Sequence, residues 1–254
     1  MRIFYFSGTG NSLWTAKKIA EYFNAELTSI SDYKNEEISD KIIGLVFPIY
    51  MGDAPWFVKQ FLLKLKSRAK YVFAVSTLNG SDKITPKNID KALCKNGMKL
   101  SYYKTLIMPE NCIQSSKEEN KKRLSAAPTQ LNIILNDIQN QKVNFISDGI
   151  LPDDRFVENS YFYSKLNIMK MYRVTSKCTG CGLCTQLCPT NNIELKKGKA
   201  IHKSIKNCTA CYKCFHICPQ NAIKLIMPVR SNKFQYIHPV SYTHLRAHET
   251  KANL

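Results

Sequence analysis

The chain has 254 residues, a hydrophobic content of 44 % and a formal net charge of +18 from 37 basic and 19 acidic residues. That length allows one or two domains with a sizeable core, and its longest apolar stretch (Ile42 to Met51) is about half a membrane span, which argues against membrane insertion. The lysines are scattered along the chain and are not interleaved with aromatic residues, which argues against a nucleic-acid partner.

Before residue 145 the sequence alternates between strand-like and helix-like segments, a pattern typical of a parallel sheet flanked by helices. Strands are predicted at residues 2–6, 25–30, 41–47, 71–76 and 100–108. Helices are predicted at residues 13–23, 55–65, 87–95 and 116–139, and we expect Pro128 to break the last of them. Apart from Lys41 the third strand is apolar, so it is expected near the centre of the sheet.

A turn rich in glycine and hydroxyl groups joins the first predicted strand to the first helix, and its residues are Ser7, Gly8, Thr9, Gly10, Asn11 and Ser12. Successive backbone N–H groups and a helix N-terminus form a cradle for an anion. The turn has no lysine, so it is not a nucleoside-triphosphate loop, and Leu13 replaces the last glycine of a dinucleotide fingerprint. A hydroxyl-rich loop without a cation suits the phosphate monoester of FMN. The alternative is a tight turn that binds no ligand.

This turn resembles the phosphate loop of flavodoxins. The resemblance implies a flavodoxin-like, doubly wound α/β fold with a parallel sheet of strand order 2-1-3-4-5, in which FMN binds beyond the carboxyl ends of the strands. Two further loops are expected at that edge, and their candidate cofactor-binding residues are Pro48, Tyr50, Met51, Gly52, Thr77, Asn79 and Gly80. The resemblance implies that Tyr50 stacks on the flavin ring and that a carbonyl of Met51–Gly52 turns toward the flavin N5. The alternative for Tyr50 is an aromatic residue at the edge of the core.

Eight of the ten cysteines lie in two runs with the same spacing, C-x2-C-x2-C-x3-C-P. The first run is Cys178, Cys181, Cys184 and Cys188, and the second is Cys208, Cys211, Cys214 and Cys218. The repeat extends past the cysteines, so that Ile193 and Ile223 occupy equivalent positions. Zinc sites do not need two fused triplets that each end in Cys-Pro, and disulfide frameworks belong to secreted chains. The pattern therefore predicts iron–sulfur clusters.

The spacing resembles that of bacterial ferredoxins with two [4Fe–4S] clusters, in which the fourth cysteine of each run ligates the other cluster. The resemblance implies one cluster on Cys178, Cys181, Cys184 and Cys218, and a second on Cys208, Cys211, Cys214 and Cys188. The expected domain is small and α+β, and it covers residues 174–227. This segment has eight lysines and one acid, Glu194, a net charge of +7. Such a surround should raise the cluster potentials and favour acidic redox partner proteins.

The remaining segments are assigned as follows. Residues 1–144 form the predicted FMN-binding domain, and residues 145–173 form a connector with few Gly or Ser residues, which we expect to dock one domain on the other. Residues 240–250 read VSYTHLRAHET, which matches the translation of a transposase adapter used in sequencing libraries. We treat 240–254 as an artefact and expect the native C-terminus to be missing.

Four other residues could invite a functional interpretation. Cys94 is expected in the core, because it lies in an amphipathic helix. Cys112 follows the fifth strand and is a minor candidate for the pocket. His202 and His216 are expected to be surface or packing residues and not metal ligands.

The whole chain resembles flavodoxin–ferredoxin fusion proteins of anaerobic bacteria and archaea. The resemblance implies electron transfer between two [4Fe–4S] clusters and an FMN, which would couple one-electron carriers to a flavin. The alternative is a ferredoxin electron carrier whose flavodoxin-like domain is flavin-free and serves as a docking module. The sequence defines no acid–base pair or nucleophile, so an iron–sulfur flavoprotein oxidoreductase activity and the oligomeric state stay open. No signal-peptide pattern opens the chain and the ligands must stay reduced, so we expect a cytoplasmic protein.

Overall fold

The computed structural model describes residues 1–50, 52–80, 82, 84–111, 116–152, 172–226 and 235–239. The chain divides into two compact units. The first comprises Met1–Ser7, Asn11–Glu110 and Ser115–Tyr163, and the second comprises Gly8–Gly10, Asn111–Gln114 and Ser164–Leu254. Met51, Cys112, the acidic and aromatic part of the connector and the adapter-like tail lie outside the described residues.

The first unit alternates strands and helices as predicted. Its strands are β1 (Arg2–Tyr5), β2 (Glu26–Ser29), β3 (Glu37–Ile38), β4 (Ile42–Pro48), β5 (Lys66–Ser67), β6 (Tyr71–Leu78) and β7 (Tyr102–Ile107). Its helices are α1 (Asn11–Phe23), α2 (Trp56–Lys64), α3 (Thr85–Cys94) and α4 (Lys117–Gln139). The two-residue strands β3 and β5, which the sequence patterns did not predict, pair only with each other.

The main sheet has the order β2-β1-β4-β6-β7, and every neighbouring pair is parallel. Without the two short strands this is the predicted order 2-1-3-4-5, and the predicted fold class is confirmed. The third long strand, β4, lies at the centre as expected, and all eight residues of β6 beside it are buried. Burial on both faces explains why these two strands read as continuous apolar runs without polar alternation.

Helix α4 corrects the expectation that Pro128 breaks the segment. It runs without interruption from Lys117 to Gln139 with Pro128 inside it. Proline removes one helical N–H donor, and this loss is offset here because one face of the helix is buried against the sheet. The buried residues are Ala127, Leu131, Ile134, Leu135 and Ile138. A capping box at Ser116 and Glu119 also satisfies N–H groups at the start of the helix.

The second unit is a small α+β arrangement, as predicted. Its elements are β8 (Tyr172–Val174), α5 (Leu183–Gln186), β9 (Ile193–Lys196), β10 (Lys199–His202), α6 (Lys213–Ile217) and β11 (Ile223–Leu225). Strands β9 and β10 form one antiparallel ribbon, and β8 and β11 form another. A small core of Tyr212, Phe215, Ile223 and Leu225 lies beside them. In the part of the chain that is described, no helix combines the length and apolarity needed to cross a membrane.

Gly44 is the tightest point of the main sheet, and it generates a prediction. It pairs with Ile3 on β1 and Phe73 on β6, and a Cβ atom on Gly44 would lie 2.6 Å from Ile3 Cδ1 and against the Phe73 ring. Gly44→Ala should therefore lower the free energy of unfolding by about 1–3 kcal/mol, the usual cost of overpacking a core. Urea unfolding followed by tryptophan fluorescence measures this, because Trp14 and Trp56 both lie in the first unit.

Gly80→Ala is the matched control. A Cβ atom on Gly80 would meet no atom within 4 Å, so its effect should stay within about 0.5 kcal/mol. Equal losses of stability for the two variants would contradict the packing argument.

Candidate functional site

Three loops follow neighbouring parallel strands, so they lie at the same edge of the main sheet. They follow β1, β4 and β6, and they contain the residues predicted to bind a flavin. The first and third loops meet directly, because Ser12 Oγ and Thr77 Oγ1 lie 2.7 Å apart. The strand order thus brings residues 65 positions apart in the sequence into one hydrogen bond.

The first loop is polar yet almost fully buried. Its exposed fractions are 7 % for Ser7, 4 % for Thr9, 8 % for Asn11 and 1 % for Ser12. Gly10 has a φ of 98°, which a side chain would disfavour, and α1 begins at the next residue. The loop therefore places hydroxyl groups and N–H groups together at a helix N-terminus, a suitable arrangement for binding an anion.

Hydrogen bonds within each unit hold parts of this loop in place. In the first unit, Asn11 Nδ2 donates to the carbonyl oxygen of Pro109 at 2.7 Å. In the second unit, Asn111 Nδ2 donates to Thr9 Oγ1 at 3.3 Å, and the His238 N–H donates to the Thr9 carbonyl at 2.8 Å. No sequence pattern predicts these anchors, because the bonded side chains lie 98 and 102 positions apart for the two asparagines.

The second loop is a tight turn closed by backbone hydrogen bonds. Tyr50 N–H donates to the Asp53 carbonyl at 2.9 Å, Asp53 N–H donates to the Tyr50 carbonyl at 3.3 Å, and Gly52 between them has a φ of 83°. The half-buried Tyr50 ring packs edge-on against Phe6 with centroids 6.4 Å apart. Its predicted stacking on a flavin stays a prediction. Met51 lies outside the described residues.

Asp53 anchors the second loop through a partly buried polar cluster that sequence reasoning missed. Its carboxylate pairs with Lys59, whose side chain is only 2 % exposed, and accepts a 2.7 Å hydrogen bond from Asn88 Nδ2. The Ala54 N–H donates to the other carboxylate oxygen at 2.7 Å. A buried lysine is costly without such a partner, so this ion pair fixes where the loop leaves the sheet.

The third loop is held in a similar way by Asp82. Its carboxylate accepts hydrogen bonds from the Tyr103 hydroxyl and, at 3.1 Å, from Ser76 Oγ. Burial, and next the hydrogen bond to Asp82, raise the pKa of Tyr103, so the phenol stays a donor. Asn79 and Gly80 at the loop tip are exposed, and Asn79 Nδ2 donates to Glu110 at 3.1 Å.

The cysteines of the second unit line two separate cavities. One is lined by Cys178, Cys181, Cys184 and Cys218, and we call it the first cavity. The other is lined by Cys188, Cys208, Cys211 and Cys214, and we call it the second cavity. Each cavity thus takes three cysteines from one run and the fourth from the other run. Ile223 lines the first cavity and Ile193 the second, in keeping with their equivalent places in the repeat.

Local structure explains why the fourth cysteine separates from its own run. Cys184 lies on α5 and Cys214 on α6, whereas Cys188 and Cys218 follow these short helices and enter a Cys-Pro turn. The turn closes through Asn191 N–H to the Cys188 carbonyl and Asn221 N–H to the Cys218 carbonyl, both at 3.0 Å. Both asparagines have positive φ values, which asparagine tolerates better than most residues.

Grouping the thiols changes their acidity. Burial, and next the neighbouring Cys181, Cys218 and Cys178, raise the pKa of Cys184 to about 11. Burial, and next the neighbouring Cys211 and Cys208, raise the pKa of Cys214 well above its ordinary value. Four thiolates crowded around one space repel one another, so they need a bound cation to be stable as thiolates.

Several features of the cavities fit iron–sulfur clusters. Backbone N–H groups donate to the sulfur atoms of Cys188 (from Asn192, 3.3 Å) and Cys218 (from Ala222, 3.2 Å), equivalent bonds in the two halves of the repeat. Such bonds stabilise cluster thiolates. Tyr172 lines the second cavity, and its buried hydroxyl has no hydrogen-bond partner among the described residues. A sulfur acceptor in the cavity would satisfy it.

The remaining cysteine and histidine candidates have structural roles or lie outside the two cavities. The nine described cysteines form no disulfide, and no three His, Cys, Asp or Glu side chains in the described ranges are grouped to hold a single metal ion. Cys94 is half-buried beside Asp90 and Ser147 at the end of α3, not in the core as expected.

His216 is a packing residue, 4 % exposed, with Nδ1 accepting from the Tyr236 N–H at 2.9 Å. Burial lowers the pKa of His216 to about 4, so its ring is neutral.

Comparison with known proteins identifies the cysteine-bearing segment. Residues 170–219, which contain all eight cysteines of the two runs, match the 4Fe-4S dicluster domain family. A comparison with curated proteins gives no match.

Among solved structures, the chain is similar to a protein from Bacteroides uniformis classed provisionally as a flavoprotein, with 18 % identity, 49 % of this chain and 96 % of that chain covered, and a TM-score of 0.35. The Trp repressor binding protein of Bacillus subtilis gives 18 % identity and a TM-score of 0.32, with 50 % of this chain and 94 % of that chain covered. A second provisional flavoprotein, from Bacteroides eggerthii, gives 15 % identity and a TM-score of 0.34, with 50 % of this chain and 96 % of that chain covered. These TM-scores are too low to establish a shared fold, so the fold assignment depends on the strand order. The chain thus combines a parallel α/β fold of flavodoxin-like strand order with a segment that matches the 4Fe-4S dicluster domain family.

Proposed function

We propose that the protein transfers electrons between two [4Fe–4S] clusters and an FMN, and so couples one-electron carriers to a flavin. The observation that carries the proposal is the crossed arrangement of the eight cysteines around two cavities inside the matched dicluster domain. When bound, the clusters would supply one-electron transfer and the flavin one- or two-electron transfer.

In this proposal the chain holds each cluster with one crossed set of cysteines. Cys178, Cys181, Cys184 and Cys218 would ligate the first cluster, and Cys208, Cys211, Cys214 and Cys188 the second. The side chains of Leu183, Ala222 and Ile223 line the first cavity and would limit its contact with water. The backbone N–H groups of Asn192 and Ala222 would stabilise the charge on the two fourth thiolates.

The FMN part of the proposal depends on the loops after β1, β4 and β6. N–H groups of the first loop and the hydroxyls of Ser7, Thr9 and Ser12 would bind the phosphate, and Tyr50 would pack on the ring. Pro48, Gly52 and Thr77 would shape the same edge, with Asn79 and Gly80 at its rim. The Asp53 and Asp82 anchors would hold the second and third loops in position before the flavin arrives, which lowers the entropy lost on binding.

One observation favours the alternative in which the first unit binds no flavin and serves as a docking module. Ser12 Oγ and Thr77 Oγ1 are hydrogen-bonded to each other, so one of their two hydroxyl protons is already engaged without a phosphate. Flavin released per chain after anaerobic purification separates the two functions, by acid precipitation and fluorescence of the supernatant. About one FMN per chain supports electron coupling, and none after incubation with excess FMN supports the docking module.

The crossed ligand sets lead to a prediction that an uncrossed arrangement does not share. Cys218→Ala should perturb the same cluster as Cys184→Ala, because both residues line the first cavity. The two variants should retain the same second cluster and give matching electron paramagnetic resonance spectra after reduction with dithionite. Cys214→Ala should retain the other cluster and give a different spectrum. A Cys218→Ala spectrum that matches Cys214→Ala would show that each run ligates its own cluster.

Ser12 provides a test of the phosphate site. Ser12→Ala removes a hydroxyl donor, and a hydrogen bond to a charged group contributes about 1.5–3 kcal/mol. The dissociation constant for FMN, measured by quenching of flavin fluorescence, should rise roughly tenfold to a hundredfold. Thr15→Val is the control, since the Thr15 hydroxyl donates to the Asn11 carbonyl within α1 at 3.1 Å. Equal affinities for Ser12→Ala and the wild type would remove Ser12 from the site.

Tyr172 gives a test that does not depend on activity. If its buried hydroxyl donates to a sulfur atom in the second cavity, Tyr172→Phe should lower the potential of that cluster, because the bond favours the more negative reduced state. The shift should reach up to about 40 mV, the one-electron equivalent of about 1 kcal/mol. Tyr212→Phe is the matched control, since that ring lines the same cavity. A redox titration in which both variants keep the wild-type potential would exclude the bond.

A further inference from the structure

The two halves of the cysteine repeat differ in exposure. Cys181 and Cys211 are equivalent residues, the second cysteine of each run, yet Cys181 is exposed whereas Cys211 is only 7 % exposed. Leu195, which lines the first cavity, is 44 % exposed. The first cavity therefore reaches the protein surface through a cysteine and an apolar side chain.

The β9–β10 ribbon borders this opening. Its residues Leu195 and Ala200 line the first cavity, and they lie opposite each other in the strand register. At the turn of the ribbon, the Gly198 carbonyl oxygen would be only 2.6 Å from a Cβ atom on Gly180, which belongs to the Cys178–Cys181 loop. The close approach of these two glycines fixes the turn of the ribbon beside the exposed cysteine.

The same turn carries a concentration of positive charge. Lys196 lies directly opposite Lys199, and Lys197 occupies the turn with a φ of 50°. All three are exposed, as is Lys177, which precedes Cys178. None of these four lysines forms an ion pair with a described residue, and Glu194 is the only acid of the ribbon.

This arrangement is unfavourable for the ribbon itself. Like charges directly opposite each other on paired strands destabilise a sheet. A local conflict that the fold does not relieve is typical of a functional surface. Because successive residues of a strand point to opposite faces, Lys196 and Lys199 lie on the face of the ribbon opposite Leu195 and Ala200, and the charge is concentrated at the turn that ends both faces.

We propose that the surface at the turn of the ribbon, with Cys181, Lys177, Lys196, Lys197 and Lys199, docks an acidic redox protein, and that electrons enter or leave through the first cluster. We call it the lysine ribbon surface. The inference depends on the proposed function, since it needs a cluster in the first cavity. One electron crosses between the two proteins, and no bond forms or breaks. The lysines steer the acidic partner toward the turn of the ribbon beside Cys181.

Small one-electron oxidants of opposite charge test the surface without an identified partner. Protein reduced with dithionite and freed of excess reductant is mixed with the trianion tris(oxalato)cobaltate(III) or the trication hexaamminecobalt(III). Each Co(III) ion takes one electron and becomes Co(II), and the return of cluster absorbance gives the rate. The quantity compared is the oxidation rate with the trianion divided by the oxidation rate with the trication. At low salt this ratio should be roughly tenfold higher for the wild type than for a Lys196→Glu/Lys199→Glu variant. The difference should shrink as salt is added.

A matched pair of lysines controls for net charge alone. Lys121 and Lys122 are exposed neighbours on α4, so Lys121→Glu/Lys122→Glu makes the same change of net charge on a different element of the chain. Its rate ratio should stay within about twofold of the wild type. Lys196→Gln/Lys199→Gln should give an intermediate ratio and also removes the repulsion within the ribbon, which guards against a folding defect.

The outcomes separate this inference from the proposed function. Iron content and visible absorbance are measured first for every variant. Wild-type protein that binds no iron would overturn the proposed function, and the docking surface with it. Iron-loaded variants whose rate ratios change equally for the ribbon and the α4 pairs, or do not change, would overturn the docking surface alone.

Discussion

The crowding of four thiols around each cavity is the constraint on which the second unit depends. Burial and neighbouring cysteines raise the pKa of Cys184 to about 11 and that of Cys214 well above its usual range. Among the described residues of this unit, the hydrophobic cluster of Tyr212, Phe215, Ile223 and Leu225 is too small to order the segment by itself. Bound iron would displace the thiol protons and join the two runs, and its binding free energy would then contribute to folding.

The backbone shows what this constraint imposes on the chain. Gly180 and Gly182 have positive φ values in the first run, and the equivalent Ala210 and Tyr212 adopt positive φ in the second. Alanine and tyrosine disfavour that conformation, at a cost of about 1–2 kcal/mol each. The conformation therefore repeats where the residue type does not. The path of the backbone is set by the need to aim three cysteines at one cavity, and the second run keeps that path despite less suitable residues.

The sequence predicted those features that depend on local spacing or on a single repeating pattern. Apolar runs and helical periodicity located β4, β6 and α1, and the cysteine spacing located the two repeats. Contacts between distant residues were beyond such reasoning. The Asp53 cluster joins residues up to 35 positions apart, and the Ser12–Thr77 bond spans 65. The rule that proline breaks a helix is local, whereas the packing of Leu131 and Ile134 that keeps Pro128 inside α4 is tertiary.

The charge of the chain shows the same limit and has a consequence for electron flow. A net charge of +18 spread over many lysines does not by itself identify a surface, and only the pairing register shows that Lys196 faces Lys199. In the proposed state each oxidised cluster with its four thiolates carries two negative charges, which would reduce the +7 of residues 174–227 to about +3. A positive surround favours the more negative, reduced clusters. The same lysines would attract an acidic donor and raise the reduction potential of the cluster beside it. Binding of the donor and acceptance of its electron would therefore depend on one set of charges.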